Sequence, residues 1–311
     1  MTTYYDKFTI NGYDFPKFLV DKNNIDWALN YKHRPNDRIL ISYPRSGSNW
    51  TEYIMQLIIS DGQNLDKIAI YKHRIEMSGK QVIDSQMDQS VTVISTHLPP
   101  DLLTVNSLAS YLLVIRNPKD VSVSENKIWS QIHSNHQKLF ADYHQYFRYC
   151  FYGQQYRHYY GDYFDFVGQY YRQSLSTNNG LSDNKFHVLI YEDMISDPKA
   201  AVVKIATFLG HQYVSRLDQI VVTNSGDDDD DDDNVGIKSE TLLDRCVRLS
   251  SIDLMKSKYG SGYRIDRGVV GNWRQYLTKE ESDLIDEKMA NKWMGTGLEL
   301  LWKQEMKWID N

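Results

Sequence analysis

Arg45, Ser46, Gly47, Ser48 and Asn49 crowd a cation, two hydroxyls, a glycine and an amide into five consecutive positions, flanked by Tyr43-Pro44 and Trp50. Such a composition suits an anion. Gly47 lets the backbone approach a ligand, Ser46 and Ser48 offer hydroxyls, and Arg45 supplies a planar cationic fork. Before it, Ile39-Leu40-Ile41 reads as a buried strand; after it, Trp50, Tyr53, Ile54, Leu57 and Ile58 read as the apolar face of a helix. The first N–H groups of that helix have no intrahelical acceptor, so this strand, loop and helix predict a bound phosphate or sulfate.

Three more apolar runs supply the frame that positions this loop. Val91 to Ser95 reads as a strand followed by Thr96-His97-Leu98-Pro99-Pro100, where the prolines force a turn. Tyr111 to Ile115 is another, ending in Arg116-Asn117-Pro118, with Pro118 placed to open a helix. Phe186 to Ile190 is the fourth and runs into Tyr191-Glu192-Asp193. Apolar runs separated by helical stretches imply βαβ units, hence an α/β fold with a central parallel sheet flanked by helices in a single domain over 1–311. Ligands bind such sheets at the carboxyl ends of the strands, where Arg45, His97, Arg116 and Tyr191 all fall. Residues 1–37 read as an irregular arm with a short helix near Ile25 to Asn30, and Val202 to Leu209 as a helix stopped by Gly210.

The run Asp227 to Asp233 outweighs the whole formal net charge of −6, so the acidic balance belongs to one segment and names no partner. Residues 225–236 are expected to form a disordered, solvated acidic loop, with metal binding as the sharper alternative; no metal site is expected elsewhere. Two cysteines, Cys150 and Cys246, are too few for a disulfide framework. With no apolar leader at Met1 to Ile10 and no run long enough to span a bilayer, a cytoplasmic protein that uses neither membrane nor nucleic acid is expected. Tyr143, Tyr146, Tyr149, Tyr152, Tyr156, Tyr159 and Tyr163 recur at helical spacing. They read as one face of a helical segment loosened by Gly153 and Gly161, used either for core packing or for an acceptor pocket.

These motifs, in this order, resemble the cytosolic sulfotransferase family, which moves a sulfuryl group from 3'-phosphoadenylyl sulfate (PAPS) to a hydroxyl or amine and releases adenosine 3',5'-bisphosphate (PAP). The likeness runs from about Leu40 to Thr278. Tyr43 to Trp50 is similar to the family's loop for the 5'-phosphosulfate end. Thr96-His97-Leu98-Pro99 is similar to the segment carrying the catalytic base. Arg116-Asn117-Pro118-Lys119-Asp120 with Ser124, and Arg267-Gly268-Val269-Val270-Gly271-Asn272-Trp273, are similar to the segments that grip the 3'-phosphate. The resemblance implies His97 and Arg45 as catalytic residues. It implies Arg45, Ser46, Gly47, Ser48, Asn49, Trp50, Arg116, Ser124, Tyr191, Ser251, Met255, Arg267 and Gly268 as nucleotide-binding residues. Trp50 either stacks on adenine or packs its helix on the sheet. The Walker pattern of a nucleoside triphosphatase is absent.

The chain also departs from the family. Ser95 stands where many animal members carry a lysine, Arg45 replaces the loop lysine, and Ile252 replaces an aromatic residue on the adenine side. Asp266 precedes Arg267, and the stretch from Met255 to Arg267 is short, which implies a more open acceptor pocket. Arg274, Thr278 and Asp283 match the family's dimerisation pattern only in part, with Lys279 replacing a valine. The leading expectation is a sulfotransferase for a small hydrophobic or phenolic acceptor; the alternative is a PAPS- or PAP-binding homologue without transferase activity.

Overall fold

Runs of β-branched and aromatic residues at four places form the strands of a parallel sheet covered by helices, buried on both faces except along the edge strand Phe186–Ile190, where His187, Val188 and Ile190 are half-buried. The computed structural model describes residues 7–63, 72–132, 142–153, 159–178, 185–223, 238–259 and 268–309. Arg267, Asp266, Tyr156 and the run Asp227 to Asp233 lie outside the described residues.

The chain opens with a hairpin, β1 (Lys7–Ile10) and β2 (Tyr13–Pro16), and then α1 (Lys22–Asn30). The hairpin corrects the reading of residues 1–37 as irregular. Ile10 pairs with Tyr13, leaving a two-residue loop of Asn11 (φ 48°) and Gly12 (φ 87°), the residue pair that a turn with two positive φ angles favours.

Next come β3 (Asp37–Ser42), α2 (Ser48–Ile59), the short α3 (Ile75–Ser78) and α4 (Gln81–Asp84), then β4 (Thr92–Thr96), β5 (Ser110–Ile115) and α5 (Pro118–Ile132). After α6 (Tyr143–Tyr146) and α7 (Tyr163–Asn178), β6 (Phe186–Ile190) completes the sheet and leads into α8 (Tyr191–Ser196), α9 (Pro198–Leu209) and the short α10 (His211–Val214). All pairs are parallel in the order β4-β3-β5-β6. The order reverses at β3, so the crevice between the ends of β3 and β5 is the topological switch point where ligands bind open α/β sheets.

Alternation within the strands builds two cores. Ile39, Ile41, Leu113 and Ile115 face the core shared with α7 and α13 (Lys279–Trp293), while Leu40, Leu112 and Val114 face α2, α9 (Pro198–Leu209) and α11 (Leu242–Leu249). Ile54, Leu57 and Ile58 of α2 are at most 1% exposed, each contributing about 1.5–3 kcal/mol of burial. Asp197 caps α9, Pro198 opens it and Gly210 ends it.

The tyrosine series does not form one helix. It spans α6, a π-helical turn over Phe147–Phe151, and the start of α7; just before α7, Tyr159 bridges Asp14, and Tyr160 and Gly161 have positive φ (67° and 88°). Tyr143, Tyr146, Tyr159 and Tyr163 are core residues, whereas Tyr149 is exposed. Among the residues compared with a dimerisation pattern, Thr278 is the N-cap of α13 and forms its capping box with Glu281. Arg274 donates to the carbonyls of Glu305 and Lys307, and Asp283 pairs with Lys279.

Candidate active site

The loop after β3 is shaped by two left-handed residues, Arg45 (φ 69°) and Gly47 (φ 108°), the second of which precedes α2. A non-glycine residue held there costs about 1–2 kcal/mol, a strain that accumulates at functional sites. Gly47 has a second reason to be glycine. A Cβ would lie 2.7 Å from the Tyr191 ring, which packs against the loop. Ser46 is fully buried, and its Oγ has no hydrogen-bond partner among the described residues. A buried hydroxyl next to a helix N-terminus is a ready acceptor or donor for an anion. Ser48 is buried and Asn49 half-buried at the start of α2.

The loop after β5 meets it. Arg116 Nη1 donates to the Arg45 carbonyl at 3.1 Å, and its guanidinium lies 4.3 Å from the centre of the Tyr191 ring. Arg45 Nε in turn donates to Ser124 Oγ of α5 at 3.0 Å. Arg45, Arg116, Ser124 and Tyr191 therefore form one contiguous cationic cluster rather than two separate ones. Ser124 is 2% exposed and so is not a surface helix serine.

Parallel register sets Thr96 beside Ile41, so the residue after β4 emerges beside Ser42. His97 Nδ1 lies 2.6 Å from the Ser42 carbonyl, to which it donates, leaving Nε2 with its lone pair. The His97 backbone N–H donates to Glu76 Oε1 at 2.8 Å, and Thr96 Oγ1 donates to Glu76 Oε2. The imidazole is held neutral: burial first, and then the positive charges of Arg74 and Arg45, push its pKa well below 6.5, against the Ser42 carbonyl. Tyr160, left-handed at φ 67°, presents its ring edge-on 5.5 Å away.

Trp50 is half-buried; its Nε1 donates to the Ser250 carbonyl at 2.8 Å and its ring meets Tyr191 edge-on. This bond carries the loop helix to Ser251 and α12 (Ile252–Tyr259). Ser251 is half-buried, and Met255, 1% exposed, packs within the core instead of opening towards a ligand. Gly268 is left-handed (φ 65°) and a Cβ there would strike Ile252 Cδ1, so the segment that begins at Gly268 packs closely against α12. Asp120 of α5 fastens that segment's continuation by accepting from the N–H groups of Gly271 and Trp273 at 2.7 and 3.0 Å.

Arg74 and Glu76 escaped the reading of the sequence. They sit at the N-cap and in the first turn of the four-residue α3, which is too short for any periodicity to mark. Arg74, 3% exposed, donates through Nη2 to Ser48 Oγ at 3.2 Å and lies with Nε 3.4 Å from Ser95 Oγ.

A helix N-terminus, an orphaned hydroxyl and several guanidinium groups at the switch point of a parallel sheet define an α/β protein whose site has the chemistry to receive an anion. The sulfotransferase domain model matches residues 35–297, and the chain belongs to that family, whose chemistry is sulfuryl transfer. It is 26% identical to a flavonol 4'-sulfotransferase of Flaveria chlorifolia over 94% of this chain and 92% of that protein. It is 24% identical to an amine sulfotransferase of Oryctolagus cuniculus over 95% and 94%. A mouse sulfotransferase crystallised with PAP shares its fold at a TM-score of 0.68 and 20% identity, with 96% of this chain and 98% of that one covered. Retinol dehydratase in complex with androsterone and PAP aligns at 0.61 and 17%, covering 94% and 91%.

Proposed function

We propose that the chain transfers the sulfuryl group of PAPS to a hydroxyl or amine of a small hydrophobic or phenolic acceptor, with His97 as general base. The observation that carries this reading is the His97 arrangement: Nδ1 committed to the Ser42 carbonyl, Nε2 available, and the ring neutral beside the anion loop. PAPS supplies an activated sulfuryl group on a bisphosphate that needs little protonation to leave. His97 Nε2 takes the acceptor's proton as the acceptor oxygen bonds to sulfur and the sulfur–oxygen bond to the 5'-phosphate breaks.

The loop from Arg45 to Asn49 holds the 5' end, with the α2 N–H groups and Ser46 stabilising charge that grows on the bridging and sulfuryl oxygens. Arg116 and Ser124 hold the 3'-phosphate, together with Arg267, while Trp50, Tyr191, Ser251 and Gly268 line the base side. Three cations for two phosphate-bearing ends match a nucleotide gripped at both ends. Among the described residues no helix is long and apolar enough to cross a membrane, and cytoplasmic residence belongs to the same reading.

The test is release of PAP from PAPS in the presence of a panel of phenols, alcohols and amines. Acceptor-dependent release supports the reading. Tight PAP binding with no acceptor-dependent release would leave a nucleotide-binding homologue instead.

A further inference from the structure

We infer that Arg74 is the cation that holds the transferring sulfuryl group, an inference that rests on the proposed function. The end of β4 next to His97 carries Ser95, which has no charge. Arg74 reaches this point from the neighbouring segment: the two residues form an isolated parallel bridge, the Ser95 N–H donates to the His73 carbonyl at 2.8 Å, and the Arg74 side chain turns towards both serines. Its guanidinium spans Ser95 at the strand end and Ser48 at the first residue of α2. These positions bracket the gap between the helix N-terminus, where the 5' end of the nucleotide binds, and His97, where the acceptor loses its proton.

The other guanidinium of the loop is engaged elsewhere, since Arg45 Nε donates to Ser124 on the α5 side. Arg45 and Arg74 thus flank the loop from opposite sides. A fixed planar cation in a buried site stabilises charge on sulfuryl oxygens more strongly than a solvated one and needs no reorganisation during transfer.

Arg74 also lies near two buried carboxylates, Glu52 and Glu76, and a purely charge-balancing role must be separated from contact with the sulfuryl group. The charge of Arg74 acts on both carboxylates, and each also has hydrogen-bond partners besides it. Glu52 pairs with His73 Nδ1 at 3.1 Å, and Glu76 accepts from Thr96 and His97.

Arg74→Gln keeps amide donors near Ser48 and Ser95 while removing the charge. The first measurement is calorimetric binding of PAP and of PAPS without acceptor, which needs no turnover. Because PAP lacks the sulfuryl group, Arg74→Gln should bind PAP within about twofold of wild type and PAPS at least about fivefold more weakly. In turnover with excess PAPS, kcat should fall about a hundredfold. Ser95→Lys added to Arg74→Gln should restore at least about tenfold of that loss, which a structural role would not permit. Equal weakening of PAP and PAPS, failure of Arg74→Gln to fold, or unchanged affinity for both would overturn the assignment. A wild-type protein that binds PAPS but releases no PAP with any acceptor overturns the proposed function alone, because the PAP and PAPS affinities still decide the role of Arg74.

Discussion

Arg45 Nε donates to Ser124 Oγ across 3.0 Å, tying the anion loop after β3 to the helix after β5. The bond fixes a long side chain whose backbone is already held left-handed. Ser124→Ala should therefore do more than remove one contact with phosphate, because it frees the Arg45 fork. PAP affinity should fall about tenfold, or about 1.4 kcal/mol. In a double-mutant cycle with Arg45→Ala the two losses should fall short of additivity by at least about 0.5 kcal/mol. Strict additivity in calorimetric titrations would mean the two side chains act independently.

Arg116 is held from two sides, by the Arg45 carbonyl and by the face of the Tyr191 ring. Its charge is thus fixed beside the loop after β5, where the 3'-phosphate is proposed to sit. Arg116→Ala should weaken PAP at least about tenfold while changing adenosine 5'-monophosphate, which lacks that phosphate, by about twofold or less. An equal loss for both nucleotides would assign Arg116 to some other part of the ligand.

Much of this site was legible before any coordinates. The four strands are continuous apolar runs that can only be buried on both faces, and each ends in a polar motif, so a parallel sheet with a site at its carboxyl edge followed directly. Arg45, His97, Arg116 and Tyr191 fall at those ends. Arg74 does not, because its position depends on how the chain returns from α2 to β4, and that path has neither periodicity nor turn chemistry. The Asn11-Gly12 hairpin carried a readable signal. The tyrosine series carried a misleading one: helical spacing persists across Tyr160 and Gly161, whose positive φ angles no helix accommodates.

His97 yields a kinetic prediction with a definite sign. Burial, then Arg74 and Arg45, disfavour the imidazolium, so the free protein keeps His97 neutral well below pH 6.5. The acid limb of kcat/KM should accordingly lie below pH 6.5, with a plateau through neutrality. His97→Ala should lower kcat about a hundredfold or more while PAP binding stays within about twofold. A histidine-like limb at or above pH 6.5, or near-normal turnover in the variant, would remove His97 from the role of base.

Glu192 links the site to the C-terminal segment: it accepts from the Asn117 N–H at 3.0 Å and from Trp302 Nε1 at 2.7 Å. Burial dominates these bonds and the nearby Arg116 charge, raising its pKa from 4.5 to about 7. Below pH 4.5 the carboxyl is protonated in both folded and unfolded chains, and the folded state loses nothing. Between 4.5 and about 7 the unfolded chain ionises while the folded one resists, so stability falls as pH rises, by about 3 kcal/mol over that interval. Glu192→Gln is neutral throughout and has no such pH dependence at this position. In denaturant titrations, the stability of wild type relative to Glu192→Gln should therefore decline from pH 4.5 to 7 and level off above it. Other carboxylates are common to both proteins and cancel in the difference. A difference that is flat with pH, or that grows in favour of wild type as pH rises, would show that the Asn117 and Trp302 donors outweigh burial and hold Glu192 ionised.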